Sequence, residues 1–185
     1  MNKHNHAIIV HGWEGSPKSN WFPWLSSELT KQGFTVSTPQ FPADHEPTLA
    51  SWLAVLRKET MNENTVLIGH SLGCIAILRA LEQEGAKHVA GVVCVAGFSR
   101  NIAIPELMDF LNLPVDFASV RMHAQSFRVL QSDDDKVVPL AEAEVLAMGL
   151  HAPLVTLHKK GHFDEESGIT ECHPILDAVL SLVEE

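Results

Sequence analysis

Thr65-Val66-Leu67-Ile68-Gly69-His70-Ser71-Leu72-Gly73-Cys74-Ile75-Ala76 is the stretch on which the fold reading turns. A β-branched apolar run ends in Gly-His-Ser-Leu-Gly, and an apolar, helix-forming segment follows at once. This is the G-x-S-x-G pattern between a strand and a helix, the setting that lifts a serine off the end of a sheet. Alone the five-residue pattern is weak: at about 7% each for glycine and serine, chance produces it in roughly one chain of this length in fifteen. In this setting it is informative. A Cβ at Gly69 or Gly73 is expected to clash across a turn whose two arms nearly touch. The N–H of Leu72 falls at the positive start of a helix, where a developing oxyanion can be held.

A serine so placed needs a base and an acid, and in chain order these follow as Asp or Glu, then His. Phe127-Arg128-Val129-Leu130-Gln131-Ser132-Asp133-Asp134-Asp135-Lys136-Val137-Val138-Pro139 reads as a strand running into an acidic loop. Leu154-Val155-Thr156-Leu157-His158-Lys159-Lys160-Gly161-His162-Phe163 reads as the next strand and its loop. Ser71 is therefore the candidate nucleophile and His162 the candidate base, with an aspartate of the 133–135 run to fix the imidazole tautomer. His162 is preferred over the other histidines because it directly follows a strand and has Gly161 for a tight loop. His158 lies on that strand itself. His4 and His6 fall in a polar stub where fraying is expected, and His70 is expected to point away from a site that Ser71 points into. Asp133, Asp134 and Asp135 all remain candidates for the acid. Asp135 is favoured because Val137 and Val138 can anchor its loop and Pro139 can open a helix at its first position. A second oxyanion donor is expected from His11-Gly12-Trp13 after the first strand, with the N–H of Trp13 across from that of Leu72.

At these residues the chain resembles an α/β-hydrolase, and within that superfamily the small serine hydrolases grouped with retinoblastoma-binding protein nine and YdeN. The matching features are His11-Gly12 with Ser16-Pro17, Trp21-Phe22-Pro23-Trp24-Leu25, Pro39-Gln40-Phe41-Pro42, the Gly69–Gly73 turn, Asp135-Lys136-Val137-Val138-Pro139 and Gly161-His162-Phe163. They span the chain, so the resemblance implies one domain over residues 1–185. By position it implies a triad of Ser71, Asp135 and His162. The Leu-x-Cys-x-Glu peptide that would imply retinoblastoma binding is absent.

The rest of the chain agrees with a single-domain α/β fold. The 185 residues are 45% hydrophobic, enough for one substantial core. Strands are expected at 7–10, 35–38, 65–69, 89–96, 127–131 and 154–158. Helices are expected at about 20–32, 47–60, 72–84, 102–122 in pieces, 139–149 and 173–184. Runs such as Val89-Ala90-Gly91-Val92-Val93-Cys94-Val95-Ala96 are apolar throughout, as strands covered on both faces must be. Alternation of strand and helix predicts a mostly parallel central sheet with helices on both faces. The interval from Gly97 to Gln125, broken by Pro105 and Pro114, is too short for a full lid domain and is expected to form a wall or small flap.

A net charge of −10 argues against nucleic acid and anionic membrane as partners. No apolar run approaches a membrane span, and the N-terminus has no signal-peptide core. Three cysteines, an odd number without paired spacing, fit a reducing cytoplasm. The leading functional expectation is a serine hydrolase acting on small carboxylic esters through an acyl-enzyme, without cofactor or metal. Peptidic amides or thioesters are the alternatives on the same triad, and a non-catalytic binding member of the fold is the alternative outside it. A metallohydrolase built on Asp133, Asp134, Asp135 and nearby histidines lacks the usual ligand spacing.

Overall fold

The structure is a computed structural model and describes residues 5–42 and 45–183. Six strands form one sheet: β1 (His6–Val10), β2 (Thr35–Ser37), β3 (Thr65–His70), β4 (Val89–Val95), β5 (Ala124–Ser132) and β6 (Leu154–Leu157). Every pairing is parallel, in the order β2-β1-β3-β4-β5-β6. The chain fills the sheet in one direction from β1 to β2, crosses back, and then runs from β3 to β6 in the other. Right-handed crossovers require the connecting helix to change face when the direction reverses. It does. Helix α1 (Phe22–Lys31) covers one face, where α7 (His173–Leu180) joins it; α2 (Leu49–Leu56), α3 (Leu72–Leu81), α4 (Met108–Leu111), α5 (Phe117–Met122) and α6 (Leu140–Leu150) cover the other.

The strand residues divide between the two faces with period two, as pleating dictates. Ala7, Ile9, Val66, Ile68, Val93 and Val95 pack towards α1 and α7. Ile8, Val10, Leu67, Val92, Cys94 and Val129 pack towards α2, α3 and α6. The loops after β1 and β3 leave the sheet at the point where the strand order reverses, and the crevice between them is where ligands of open α/β sheets bind.

The expected elements are present, with shifted ends. β5 starts at Ala124, three residues before the hydrophobic run that signalled it. Pro139 is the N-cap of α6 rather than its first residue. His6, far from fraying, opens β1 and pairs with both Thr35 and Thr65; His4 and the end of the expected helix 173–184 lie outside the described residues. Cys74, Cys94 and Cys172 are free and buried, and burial pushes the Cys74 thiol up, which keeps it unreactive. No helix among the described residues is long and apolar enough to cross a membrane.

The interval after β4 is packed as a wall. A short 3-10 turn (Pro105–Leu107), α4 and α5 pack onto α3. Arg79 of α3 is only 5% exposed. Its guanidinium donates to the carbonyl oxygens of Phe110 (2.8 Å), Pro114 (3.4 Å) and Leu113, and pairs with Glu82 at 2.5 Å. Glu82 in turn accepts from the N–H of Asp116 at 3.0 Å. A guanidinium offers five donors in a rigid fork, which suits it to gathering several backbone carbonyls at once.

Candidate active site

The turn at Ser71 is held by what its neighbours lack. Ser71 has φ 52° and ψ −118°, a backbone conformation that costs a non-glycine residue of order 1–3 kcal/mol and persists only where the surroundings enforce it. A Cβ on Gly69 would lie 2.8 Å from the backbone nitrogen and Cα of Cys74, so this glycine lets strand and helix meet. Gly73 has a different reason from the one expected. A Cβ there would fall on the carbonyl oxygen of Val10 and 2.8 Å from that of His11, so this glycine lets α3 approach β1. The N–H of Ser71 donates to the carbonyl of Val95 at 3.0 Å and completes the attachment.

The loop after β1 lies against this turn. A Cβ on Gly12 would come within 3.3 Å of Ser71 Cβ. His11 is 2% exposed. Its Nε2 accepts from the N–H of Phe41 at 3.0 Å, so its Nδ1 carries the proton and donates to the carbonyl of Gly12 at 2.7 Å. Burial holds this imidazole below the usual histidine range and keeps it neutral. The N–H of Gly15 donates to the same Gly12 carbonyl at 3.1 Å. In a trans peptide the N–H points opposite to the C=O, so pinning this carbonyl orients the N–H of Trp13 away from both donors. Leu72, as the first residue of α3, has no intrahelical acceptor for its own N–H.

The acidic loop and the histidine loop are laced together, residue against residue. Ser132 Oγ accepts from the N–H of Lys160 (2.8 Å), Asp133 Oδ1 from Lys159 (3.0 Å) and Asp134 Oδ1 from Gly161 (2.9 Å). Asp135 Oδ2 lies 2.9 Å from His162 Nδ1. The Asp135 side chain has no exposed surface and that of His162 is 13% exposed. Asp135 is itself held: its Oδ1 accepts from the N–H groups of Val137 (2.8 Å) and Val138 (2.9 Å). Of the three candidate carboxylates, Asp135 is the one against His162. Asp133 pairs instead with the exposed His158, at 2.6 Å. The expected anchor of this loop is half right: Val138 is fully buried, whereas Val137 is 43% exposed and lines the cleft.

Ser71, His162 and Trp13 open onto one cleft of about 310 Å³, walled on its apolar side by Ile104, Leu107 and Val137 and on its polar side by Glu14, Asn20 and Asp164. Leu72 lies beneath it, fully buried. Trp21, Phe22, Phe110 and Phe117 pack in the two cores, as side chains of those segments usually do. A further cavity of about 380 Å³, between α2 and the end of α3, is lined by no histidine, serine or cysteine. Among the described residues no group of three or more His, Cys, Asp or Glu side chains is arranged to hold a metal ion.

One expectation is overturned. His70 does not point away from the site: it lines the cleft, and its Nε2 lies 2.8 Å from the carbonyl oxygen of His162. The signal was present in the strand periodicity. Val66, Ile68 and His70 share a face, that of α1 and α7, and the histidine loop runs into α7 across that face. The side-chain oxygens of Ser132, Asp133 and Asp134 that accept from the histidine loop carry no sequence signal of that role, because only the partner loop explains them.

The serine hydrolase family model matches residues 7–181. The YdeN protein of Bacillus subtilis (strain 168) is 34% identical over 179 residues, covering 95% of this chain and 94% of that one. The crystal structure of the B. subtilis ydeN gene product superposes with a TM-score of 0.92, covering 98% of this chain and 100% of the other. The serine hydrolase RBBP9 of Rattus norvegicus is 25% identical over 183 residues, covering 96% and 95%. A carboxylesterase structure from a thaumarchaeon, Nitrososphaera gargenis, shares the fold at a TM-score of 0.77 and 14% identity, over 98% of this chain and 92% of its own. With its parallel sheet, strand–turn–helix serine and matching family model, the chain belongs to the serine hydrolase family of α/β-hydrolases.

Proposed function

We propose that this hydrolase cleaves small carboxylic esters through an acyl-enzyme on Ser71. The observation that carries the reading is the fully covered Asp135 carboxylate, 2.9 Å from His162 Nδ1, behind a cleft that His162 shares with Ser71. Asp135 holds the tautomer in which Nδ1 carries hydrogen, which leaves the other ring nitrogen free to accept. Ser71 Oγ attacks the ester carbonyl carbon while His162 takes its proton. The oxyanion is held by the N–H groups of Leu72 and Trp13, such donors being worth about 2.7–4 kcal/mol each in comparable sites. Collapse breaks the bond to the alcohol oxygen, which leaves with the proton from His162. Water then attacks the acyl carbon and gives a proton to His162, which passes it to Ser71 Oγ as the acyl–Oγ bond breaks and the acid leaves.

The open cleft and its short apolar wall of Ile104 and Leu107 favour short acyl chains over interfacial lipid. Amides and thioesters follow the same steps and enter the test as comparators. The test is intact-mass labelling with a fluorophosphonate, wild type against Ser71→Ala, followed by a panel of acyl esters, thioesters and aminoacyl amides. One adduct on the wild type, none on the variant, and fastest turnover of short esters are expected. No adduct on folded wild-type protein overturns the mechanism; faster turnover of amides or thioesters overturns the substrate class.

A further inference from the structure

His70 is bonded to Ser71, yet its side chain serves the loop of His162. A carbonyl oxygen only accepts, so the 2.8 Å contact with the His162 carbonyl fixes the hydrogen on His70 Nε2 and leaves Nδ1 bare. That Nδ1 is buried and has no hydrogen-bond partner. The ring is wedged between the edges of Trp21 and Phe22, with centroids 6.1 Å and 5.9 Å away, and lies 5.0 Å from the His162 ring. Burial first, and the nearby His162 second, lower its pKa to about 4, so it is neutral at ordinary pH. An unpartnered buried nitrogen is destabilising, and phenylalanine would fill the same space without it. What phenylalanine could not supply is the N–H towards His162.

The His162 loop needs such a tether. Lys159, Gly161 and Phe163 have φ of 53°, 50° and 56°. Two of these are side-chain-bearing residues in the left-handed region, which stay there only when their neighbours hold them. Ser132, Asp133 and Asp134 hold the loop's N–H groups from the acid's side of the site. Trp21 Nε1 holds the Phe163 carbonyl at 3.0 Å. His70 is the tether that comes from the strand of the nucleophile.

We propose that His70 is a positioning residue that sets the place of His162 relative to Ser71 through its Nε2–H. The path is short and stiff: one peptide bond from Ser71, a ring with two torsions, and a hydrogen bond ending on the backbone of His162. This rests on the reading of Ser71 and His162 as nucleophile and base. With a ring of similar size kept at the cleft wall, loss of the N–H acts chiefly on the proton transfer, and a misplacement of about 1 Å at a reacting pair is worth roughly 100-fold in rate.

The test compares ester hydrolysis by wild type, Ser71→Ala, His162→Ala, His70→Phe, His70→Gln and His70→Asn, with thermal midpoints measured for each. His70→Phe is expected to lower kcat by about 10- to 100-fold with KM within about threefold and no loss of thermal midpoint. His70→Gln, whose amide N–H reaches the place of Nε2, recovers most of kcat; His70→Asn, one carbon shorter, does not. Wild-type kcat in His70→Phe, beside inactive Ser71→Ala and His162→Ala, overturns the proposal and leaves the triad standing. Activity in Ser71→Ala or His162→Ala overturns the triad reading itself. If His70→Phe does not fold, equal kcat in the Gln and Asn variants overturns the proposal. Nitrogen-15 shifts of His70 give a readout free of variants in the fold: a neutral Nε2–H tautomer is expected, and an Nδ1–H tautomer overturns it.

Discussion

The two halves of the site are built by opposite means. On the β1–β3 side, the place of Ser71 is set by missing atoms: Gly69 and Gly73 admit backbone where any side chain would collide, and Gly12 lies against Ser71. On the β5–β6 side, the place of His162 is set by side chains that grip: Ser132, Asp133 and Asp134 accept from the backbone N–H groups of Lys160, Lys159 and Gly161, and Asp135 meets the His162 ring. A half built from close approach breaks all at once when a methyl is added. A half built from several hydrogen bonds weakens in steps. The contrast predicts how each side responds to substitution.

The largest effect is expected at the end of the graded side. Asp135→Asn keeps an oxygen for the N–H groups of Val137 and Val138 but presents an amide to His162 Nδ1, forcing the wrong tautomer. A fall in kcat on the order of 10³–10⁴ is expected with the fold intact, read by steady-state kinetics and circular dichroism. A fall under tenfold would mean that the acid lies elsewhere.

Next comes the all-or-none side. Gly73→Ala drives a methyl onto the Val10 carbonyl, and a loss of about 3 kcal/mol, the upper end for overpacking, or no folded protein, is expected in urea denaturation. Gly33→Ala is the control. Gly33 has φ +86° and nothing within 4 Å of an added Cβ, so only the backbone cost of about 1–2 kcal/mol is expected. Equal losses at the two positions would show that close approach is not what Gly73 provides.

Acid tests the join between the halves. His70 titrates near 4 in the fold against about 6.5 unfolded, so between these values the unfolded chain binds the extra proton. Its contribution is therefore complete above about pH 6.5 and is lost as pH falls towards 4, a change of about 2–3 kcal/mol. Urea midpoints at pH 7.5 and 4.5 should show the wild type losing more stability than His70→Phe by about that amount. Equal losses would refute the buried neutral ring.

The smallest effects are the steps within the graded side. Asp134→Ala frees the N–H of Gly161, beside His162, and about a tenfold loss of kcat is expected. Asp133→Ala, farther along and exposed, should change kcat by less than about threefold. Its pairing with His158 raises the histidine's pKa, so any stability it adds is present at low pH and fades as pH rises through that raised value. Equal effects of the two substitutions would refute a graded grip.

The same contrast explains what the sequence disclosed. A turn that tolerates only glycine prints its requirement at fixed spacing, so Gly69-His70-Ser71-Leu72-Gly73 identified the elbow, the parallel sheet and the fold. The apolar β4 run showed a strand covered on both faces. A grip between side chain and distant backbone leaves no such mark. Asp133 and Asp134 read equally well as a solvated turn, because their partners lie about 27 residues on and are backbone groups that any sequence would carry. Asp135 was favoured for two valines, of which Val138 alone is buried. His70 was misjudged because its partner, the His162 carbonyl, is also backbone; the alternation of β3 contained the answer.

Arg79 carries the last consequence. Its side chain ties the carbonyls of Phe110, Leu113 and Pro114 to α3, the helix that Ser71 caps. The wall that supplies Ile104 and Leu107 to the cleft is therefore expected to open as one cooperative unit with the helix that follows Ser71. Amide protons at 107–111 should exchange with solvent on the slow schedule of α3 rather than on that of a loop. Turnover should then start without a lag and need no interface to open the way, since substrate enters a cleft that is already shaped.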